Sequence, residues 1–315
     1  MILFIASIFS DFGISSVQAS SVNMDSLITN DKQDTLDQKR PFGFHSLVDR
    51  LDSFFSDEQI EDELQTSSLR FKPGFMWKES GRLNYPVPVR INIVLPRLQN
   101  RWQILFTSLP DDDNDQDPDD RDYSDDRFGS TATRRISSLI GLQFSPFSGI
   151  SEHLKFISGI KIRTNEFNPF TMMRVRFRRS LGDWNFRFIQ SGFWFSDIGF
   201  GERTQVDFGR SLGDETWFRS RSSALYSKQA RGVDLKQTFF VRHFIGENIV
   251  LGTYWRVGAH TSPHTVVDGH TLAVEWRTRL IGNWLYLQIS PQALFHRKAD
   301  FRLIPVLFTD LEIIF

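Results

Sequence analysis

Arg174, Arg176 and Arg178 stand at alternate positions, with Val175 and Phe177 between them, and the same spacing of cations recurs along the chain. Lys155 precedes Lys161 and Arg163, Arg219 precedes Arg221, and Arg277 precedes Arg279. Guanidinium and ammonium groups gathered this way attract and hold anions, by charge and by N–H donation. Other residue sets offer other chemistry. The run Asp111, Asp112, Asp113, Asp115, Asp117, Asp119 and Asp120, continuing to Asp126, could ligate Ca²⁺, because hard cations take several carboxylate oxygens. It lacks the central Gly and closing Glu of the helix-loop-helix calcium pattern, so no cofactor is assigned beyond this one candidate. His260, His264 and His270, with Asp268 nearby, are ligand types for Zn²⁺ or Cu²⁺, without the spacing of a built site. A hydrolytic set could be drawn from His243 or His296 with neighbouring serines, yet no G-x-S-x-G turn is present. No catalytic residue is assigned.

The elements that position these groups follow from the same spacing. In Met173–Arg178, Leu154–Arg163 and Leu272–Leu280 apolar residues alternate with polar or charged ones. A period of two places the apolar side chains on one face of a strand and the charges on the other. In a soluble sandwich the charged face would meet water. When the pattern fills a long chain, the better reading puts lipid against the apolar face and the charges inside a closed barrel. The 315 residues carry a net charge of −1, which gives no reason to expect a nucleic-acid partner. Phe (31) and Trp (8) are abundant, yet no apolar run approaches the roughly 20 residues of a membrane helix. The absence of cysteine fits an oxidising or envelope compartment.

Candidate strands span 69–78, 88–95, 101–109, 137–145, 153–163, 171–180, 184–195, 202–210, 216–227, 233–244, 248–259, 270–281, 284–296 and 301–315. That is fourteen, or twelve if the first pair or the weak 202–210 segment is left out, and an even number is expected of such barrels. Arg179-Ser180-Leu181-Gly182-Asp183 recurs as Arg210-Ser211-Leu212-Gly213-Asp214, with looser copies around Gly246 and Gly282. Gly followed by Asp, Glu or Asn supplies the positive φ of a tight hairpin. Trp184, Trp217 and Trp284 follow three of these turns, where an interfacial aromatic girdle is expected. Longer connections, 164–170, 196–201, 228–232, 260–269 and 297–300, are expected on the opposite rim.

The chain ends on Phe315, and Ile313, Leu311, Leu307 and Leu303 share its face, with Thr309 the exception. This ending resembles the terminal insertion signal of bacterial outer-membrane β-barrels, and the alternation resembles their architecture. The resemblance implies an antiparallel up-and-down transmembrane β-barrel in the bacterial outer membrane. Its implied partners are outer-membrane lipid, envelope chaperones and the barrel-assembly machinery.

With lipid on the apolar face, Lys155, Lys161, Arg163, Arg174, Arg176, Arg178, Arg187, Arg219, Arg221, Arg256, Arg277 and Arg279 are read as lining the lumen. Adding Arg70, Lys72, Arg90, Arg203, Lys236, Arg242 and Arg302 gives nineteen cations against five acids, Asp207, Asp234, Glu275, Asp310 and Glu312. One sign of charge on a low-dielectric wall concentrates counter-ions. The expectation is a porin-like channel or binding barrel for small anionic solutes. Structural packing of the arginines competes with it, as do an outer-membrane lipase, protease or deacylase and a closed structural or surface-interaction barrel.

Upstream of the barrel (69–315), residues 1–19 resemble a secretory signal whose basic start is missing, with Ile2–Phe9 as its apolar core. Residues 20–68 read as a polar linker followed by an acidic amphipathic helix over Phe44–Leu64. That helix and the 111–126 acidic run are candidates to cover or constrict the two mouths.

Overall fold

The computed structural model describes residues 67–78, 83–95, 101–110, 136–148, 152–163, 166–228 and 232–315. The signal segment, the acidic helix over 44–64 and the acidic run 111–126 lie outside these residues. Strand β1 comprises Ser68–Phe71 and Gly74–Lys78, and β2 comprises Leu83–Asn84 and Val89–Val94. They are followed by β3 (Trp102–Pro110), β4 (Ile136–Ser148), β5 (Glu152–Arg163), β6 (Glu166–Leu181) and β7 (Trp184–Phe195). Next come β8 (Gly199–Ser211), β9 (Thr216–Ser227), β10 (Gly232–Ile245) and β11 (Ile249–His260). The last three are β12 (Val266–Ile281), β13 (Leu285–His296) and β14 (Leu303–Ile314).

Each strand pairs antiparallel with its chain neighbour, and β14 pairs back onto β1 through Ile314–Arg70 and Phe308–Met76. The result is a closed barrel of fourteen strands, with the Gly199–Ser211 segment, weak in sequence, fully paired on both edges. Closure leaves no strand edge open, which is the condition for crossing hydrocarbon with β-structure. The first two strands are split because Pro73, Pro86 and Pro88 have no N–H to give the ladder. Their carbonyls still accept: Lys72 N donates to Pro88 O at 3.0 Å, Gly74 N to Pro86 O at 2.7 Å and Leu311 N to Pro73 O at 3.0 Å.

Gly182, Gly213, Gly246 and Gly282, the four glycines of the sequence repeat, all adopt positive φ, at 61°, 85°, 69° and 47°. They lie on one rim, together with the beginning of β1 and Phe315. The long connection between β3 and β4 belongs to the other rim, called the outer rim below.

Three expectations need correction here. The outer-rim connections over 164–165, 196–198 and 261–265 are shorter than expected, since β6, β8 and β12 begin at Glu166, Gly199 and Val266 rather than at 171, 202 and 270. Ladder hydrogen bonding carries these strands past the point where alternation fades: β6 and β12 reach 16 residues, beyond the roughly 9–11 that span a bilayer. Arg302 is exposed in the turn before β14 and does not line the interior. Trp217 faces inward with 4% exposure, not into a girdle. Its turn is longer, so Trp217 falls second in its strand, opposite Ser211, whereas Trp184 is first, opposite Arg210, and the parity flips.

The outward face is apolar. Ile104, Ile140, Phe156, Met173, Val175, Phe208, Leu251, Trp255, Leu272, Val274 and Trp276 are all more than a third exposed. An aromatic ladder runs across it through Phe218, Phe239, Trp255, His270 and Phe301, with neighbouring ring centres 5.8–6.5 Å apart. Apolar area of this extent would be strongly unfavourable in water and is at rest in acyl chains. Outward charges stand toward the rims, Arg179 and Arg210 near the glycine turns and Glu202 toward the opposite end. Phe315 stacks on Trp284 at 6.5 Å and exchanges backbone hydrogen bonds with Leu69 at 2.9 and 3.0 Å.

Candidate functional site

The chemistry of this chain lies on the inner face of the barrel. Lys155, Lys161, Arg174, Arg176, Arg219, Arg256 and Arg277 are each under 9% exposed, and Arg163, Arg178, Arg187, Arg221 and Arg279 are half-buried on the same face. Period-two alternation delivers these twelve cations to one enclosed surface. Among the buried side chains of the described residues, ten Lys and Arg face four acids, so this strand wall carries a net positive charge.

Two acids organise the cations nearest the glycine-turn rim. Glu312 on β14 is fully buried; its carboxylate forms ion pairs with Arg70 at 3.2 Å and Lys72 at 3.0 Å and accepts a hydrogen bond from Arg277 at 2.5 Å. This cluster ties β14 to β1 at the closing seam, and to β12, while the Arg277 guanidinium lies 4.6 Å from the Tyr286 ring. Asp207 on β8 accepts from Arg187 on β7, with Nε at 2.8 Å, and from Arg221 on β9 at 3.3 Å. Gln205 Nε2 adds a donor to the same carboxylate at 3.2 Å. β8 and the β14–β1 seam are half a circuit apart in strand order, so the barrel has an anchored acid on each side. At the outer rim, Asp197 in the β7–β8 turn lies 3.8 Å from both Lys161 and Arg163. Sequence reading missed Asp197 because turn residues have no alternation to declare their direction.

The inward face is not a uniform cationic lining. Leu139, Ile157, Phe170, Met172, Phe193, Phe195, Ile198 and Leu225 form a buried apolar cluster toward the outer rim. Trp217, Phe244, Val250 and Tyr286 form another at the glycine-turn rim. Arginines lie over inward aromatics between them, Arg219 over Trp217 at 4.1 Å, Arg256 over Tyr254 at 5.1 Å and Arg242 over Phe240 at 5.7 Å. The signal for these rings was available, because they share the parity of the arginines. Every strand contributes an inward residue less than 9% exposed, from Arg70 on β1 and Thr107 on β3 to Ser290 on β13 and Glu312 on β14. The inner wall is therefore closely packed on every strand. Asn92 Oδ1, Thr107 Oγ1, Trp217 Nε1 and Gln292 Oε1 are buried there without a hydrogen-bond partner among the described residues. Polar atoms of this kind are ordinarily satisfied by water or a polar solute.

The candidate histidines do not converge. His260 faces inward with its Nδ1 2.7 Å from Asp234, His264 is exposed in the β11–β12 turn, and His270 lies on the outward face against Trp255. Among the described residues no group of three His, Asp or Glu is placed to hold a metal. His243 points outward and is 2.8 Å from Thr216 Oγ1, while His296 lies at the outer end of β13.

A closed antiparallel barrel, apolar outside and charged within, defines an integral outer-membrane β-barrel of porin-like architecture. Solved structures of the same architecture resemble it in fold. CdiB from Acinetobacter baumannii matches at 9% identity over 80% of this chain and 60% of its own, with a TM-score of 0.50. The CymD monoaromatic hydrocarbon channel matches at 7% identity over 84% of this chain and 92% of its own, with a TM-score of 0.48. The KdgM porin in complex with disordered oligogalacturonate matches at 8% identity over 78% and 98%, with a TM-score of 0.40. No protein-family model and no curated protein matches the sequence.

Proposed function

We propose that this barrel admits small anionic solutes from the outer-membrane surface into its arginine-rich interior and acts as an anion-preferring channel or binding barrel. The observation that carries the reading is the ten-to-four excess of buried Lys and Arg over acids on the inward face. In a low-dielectric wall such an excess lowers the energy of an entering anion and raises that of a cation. Inward aromatics lie against Arg219, Arg256 and Arg277, with the guanidinium carbons 4.1–5.1 Å from the ring centres, and cation–π attraction steadies these cations at the wall. The test is the reversal potential of the full chain in planar bilayers under a salt gradient. Anion-selective current that declines in an Arg174→Gln/Arg176→Gln variant supports the reading, and cation-selective current overturns it.

The close packing of the inner wall favours one competing reading, a closed barrel that serves as a structural or surface-interaction element. That reading stands if correctly inserted protein passes no current and retains no small anion in equilibrium dialysis.

A further inference from the structure

The lipid-facing surface has one region that does not suit lipid. On β7–β10 the outward residues at mid-strand are Gln190, Thr204, Ser220, Ser222 and Gln237, where other strands present Ile140, Val175, Leu272 or Ile289. Register brings them close together: Gln190 is opposite Thr204 and Ser222 opposite Gln237, with Ala224 opposite Thr204 and Val206 opposite Ser222 between the two pairs. Each lies at least four residues from either strand end, at the level of the hydrocarbon core rather than the headgroups.

The patch satisfies itself only in part. Thr204 Oγ1 donates to Gln190 Oε1 at 2.6 Å, Ser222 Oγ donates to Gln237 Oε1, and Gln237 Nε2 donates to Ser220 Oγ at 2.9 Å. The Gln190 amide nitrogen has two N–H donors and no acceptor among the described residues, and Gln237 has one N–H left over. In hydrocarbon such donors have no water to turn to, so a polar protein surface is their favourable neighbour.

We propose that the outward face of β7–β10 is the contact surface between two copies of this chain. The groups are neutral and each can both donate and accept, so the patch is complementary to itself and requires no charged partner. Copies inserted in the same direction are related by an axis along the membrane normal, so equal heights meet. Gln190 and Gln237 of one copy then lie level with the same amides of the other. Gly192 and Ala224 beside them keep the surface low and let the two sheets approach. Glu202, nearer the outer rim, stays at headgroup level.

The chain has no cysteine, which makes the test clean. Ser222→Cys and, outside the patch on β4, the outward-facing Ile140→Cys are each reconstituted as full-length protein in vesicles at high lipid-to-protein ratio and oxidised. A disulfide-linked dimer from S222C and none from I140C is the expected result. Adding Gln190→Leu and Gln237→Leu to S222C should lower the dimer yield about tenfold, the effect of losing one or two intermembrane hydrogen bonds. Light scattering of wild type in detergent should give twice the protein mass of the 36.7 kDa chain. Equal cross-linking at both positions, or none at S222C together with a monomeric mass, overturns the proposal.

Discussion

Replacing Glu312 with Ala should loosen the barrel at its closing seam. This carboxylate has 0% exposure and receives Arg70, Lys72 and Arg277 at 3.2, 3.0 and 2.5 Å. Its removal takes the shared counter-charge from three enclosed cations on β1 and β12. Breaking one buried pair by deleting a partner costs about 3–5 kcal/mol, so the variant should lose about 4 kcal/mol of unfolding free energy. The seam is a sensitive place for that loss, because proline interrupts β1 and direct β1–β14 pairing falls into two short runs. An internal control is Asp183→Asn, which removes a rim contact to Arg210 at 3.2 Å with side chains 78% and 41% exposed. Exposed pairs are worth about 0–1 kcal/mol, so this variant should resemble wild type. Both are measured by urea unfolding in vesicles, followed by tryptophan fluorescence. A further arm tests coupling: Arg277→Met added to Glu312→Ala should cost less than the sum of the two single changes, since both remove one interaction. A Glu312→Ala protein within about 0.5 kcal/mol of the Asp183→Asn control would refute the claim that this ion cluster holds the seam.

Asp207→Ala should destabilise by about 3 kcal/mol through Arg187 and Arg221, read from the same urea curves. Gly213→Val places a branched side chain at φ 85° and should cost about 1–2 kcal/mol, with Gly213→Asn costing less because Asn tolerates the left-handed region. Lipids brominated on the acyl chain should quench single-tryptophan proteins retaining Trp255 or Trp276, which are 45% and 51% exposed, while one retaining Trp217 keeps its emission. Deleting Phe315 removes the stack on Trp284 and the backbone pairing to Leu69, and should slow insertion into vesicles in a time course of protease protection.

The strand count and the facing of nearly every described barrel residue were legible in the chain, because a pleated strand repeats every two residues and each side must match its surroundings. Arg174 and Arg176 could be sent inward, and Val175 outward, with no knowledge of any neighbour. The four positive-φ turns were legible for the same local reason: glycine followed by Asp, Glu or Asn is chemistry of adjacent residues. Parity also contained the inward direction of Phe193, Phe195 and Tyr254, but it could not say whether they meet lipid, solute or one another. Only the tertiary structure decided that they pack into buried clusters on the inner wall. The partners of the charges were likewise beyond local reading. Glu312 meets Arg277 across 35 residues, and Arg70 and Lys72 across the closure of the barrel, so their pairing depends on register and on which strands become neighbours. Trp217 shows how far one turn can shift such a result: a longer loop moved it one place along its strand, and a side chain expected at the membrane surface became part of the core. Periodicity fixes a face, whereas contact across the barrel is settled only when the sheet closes.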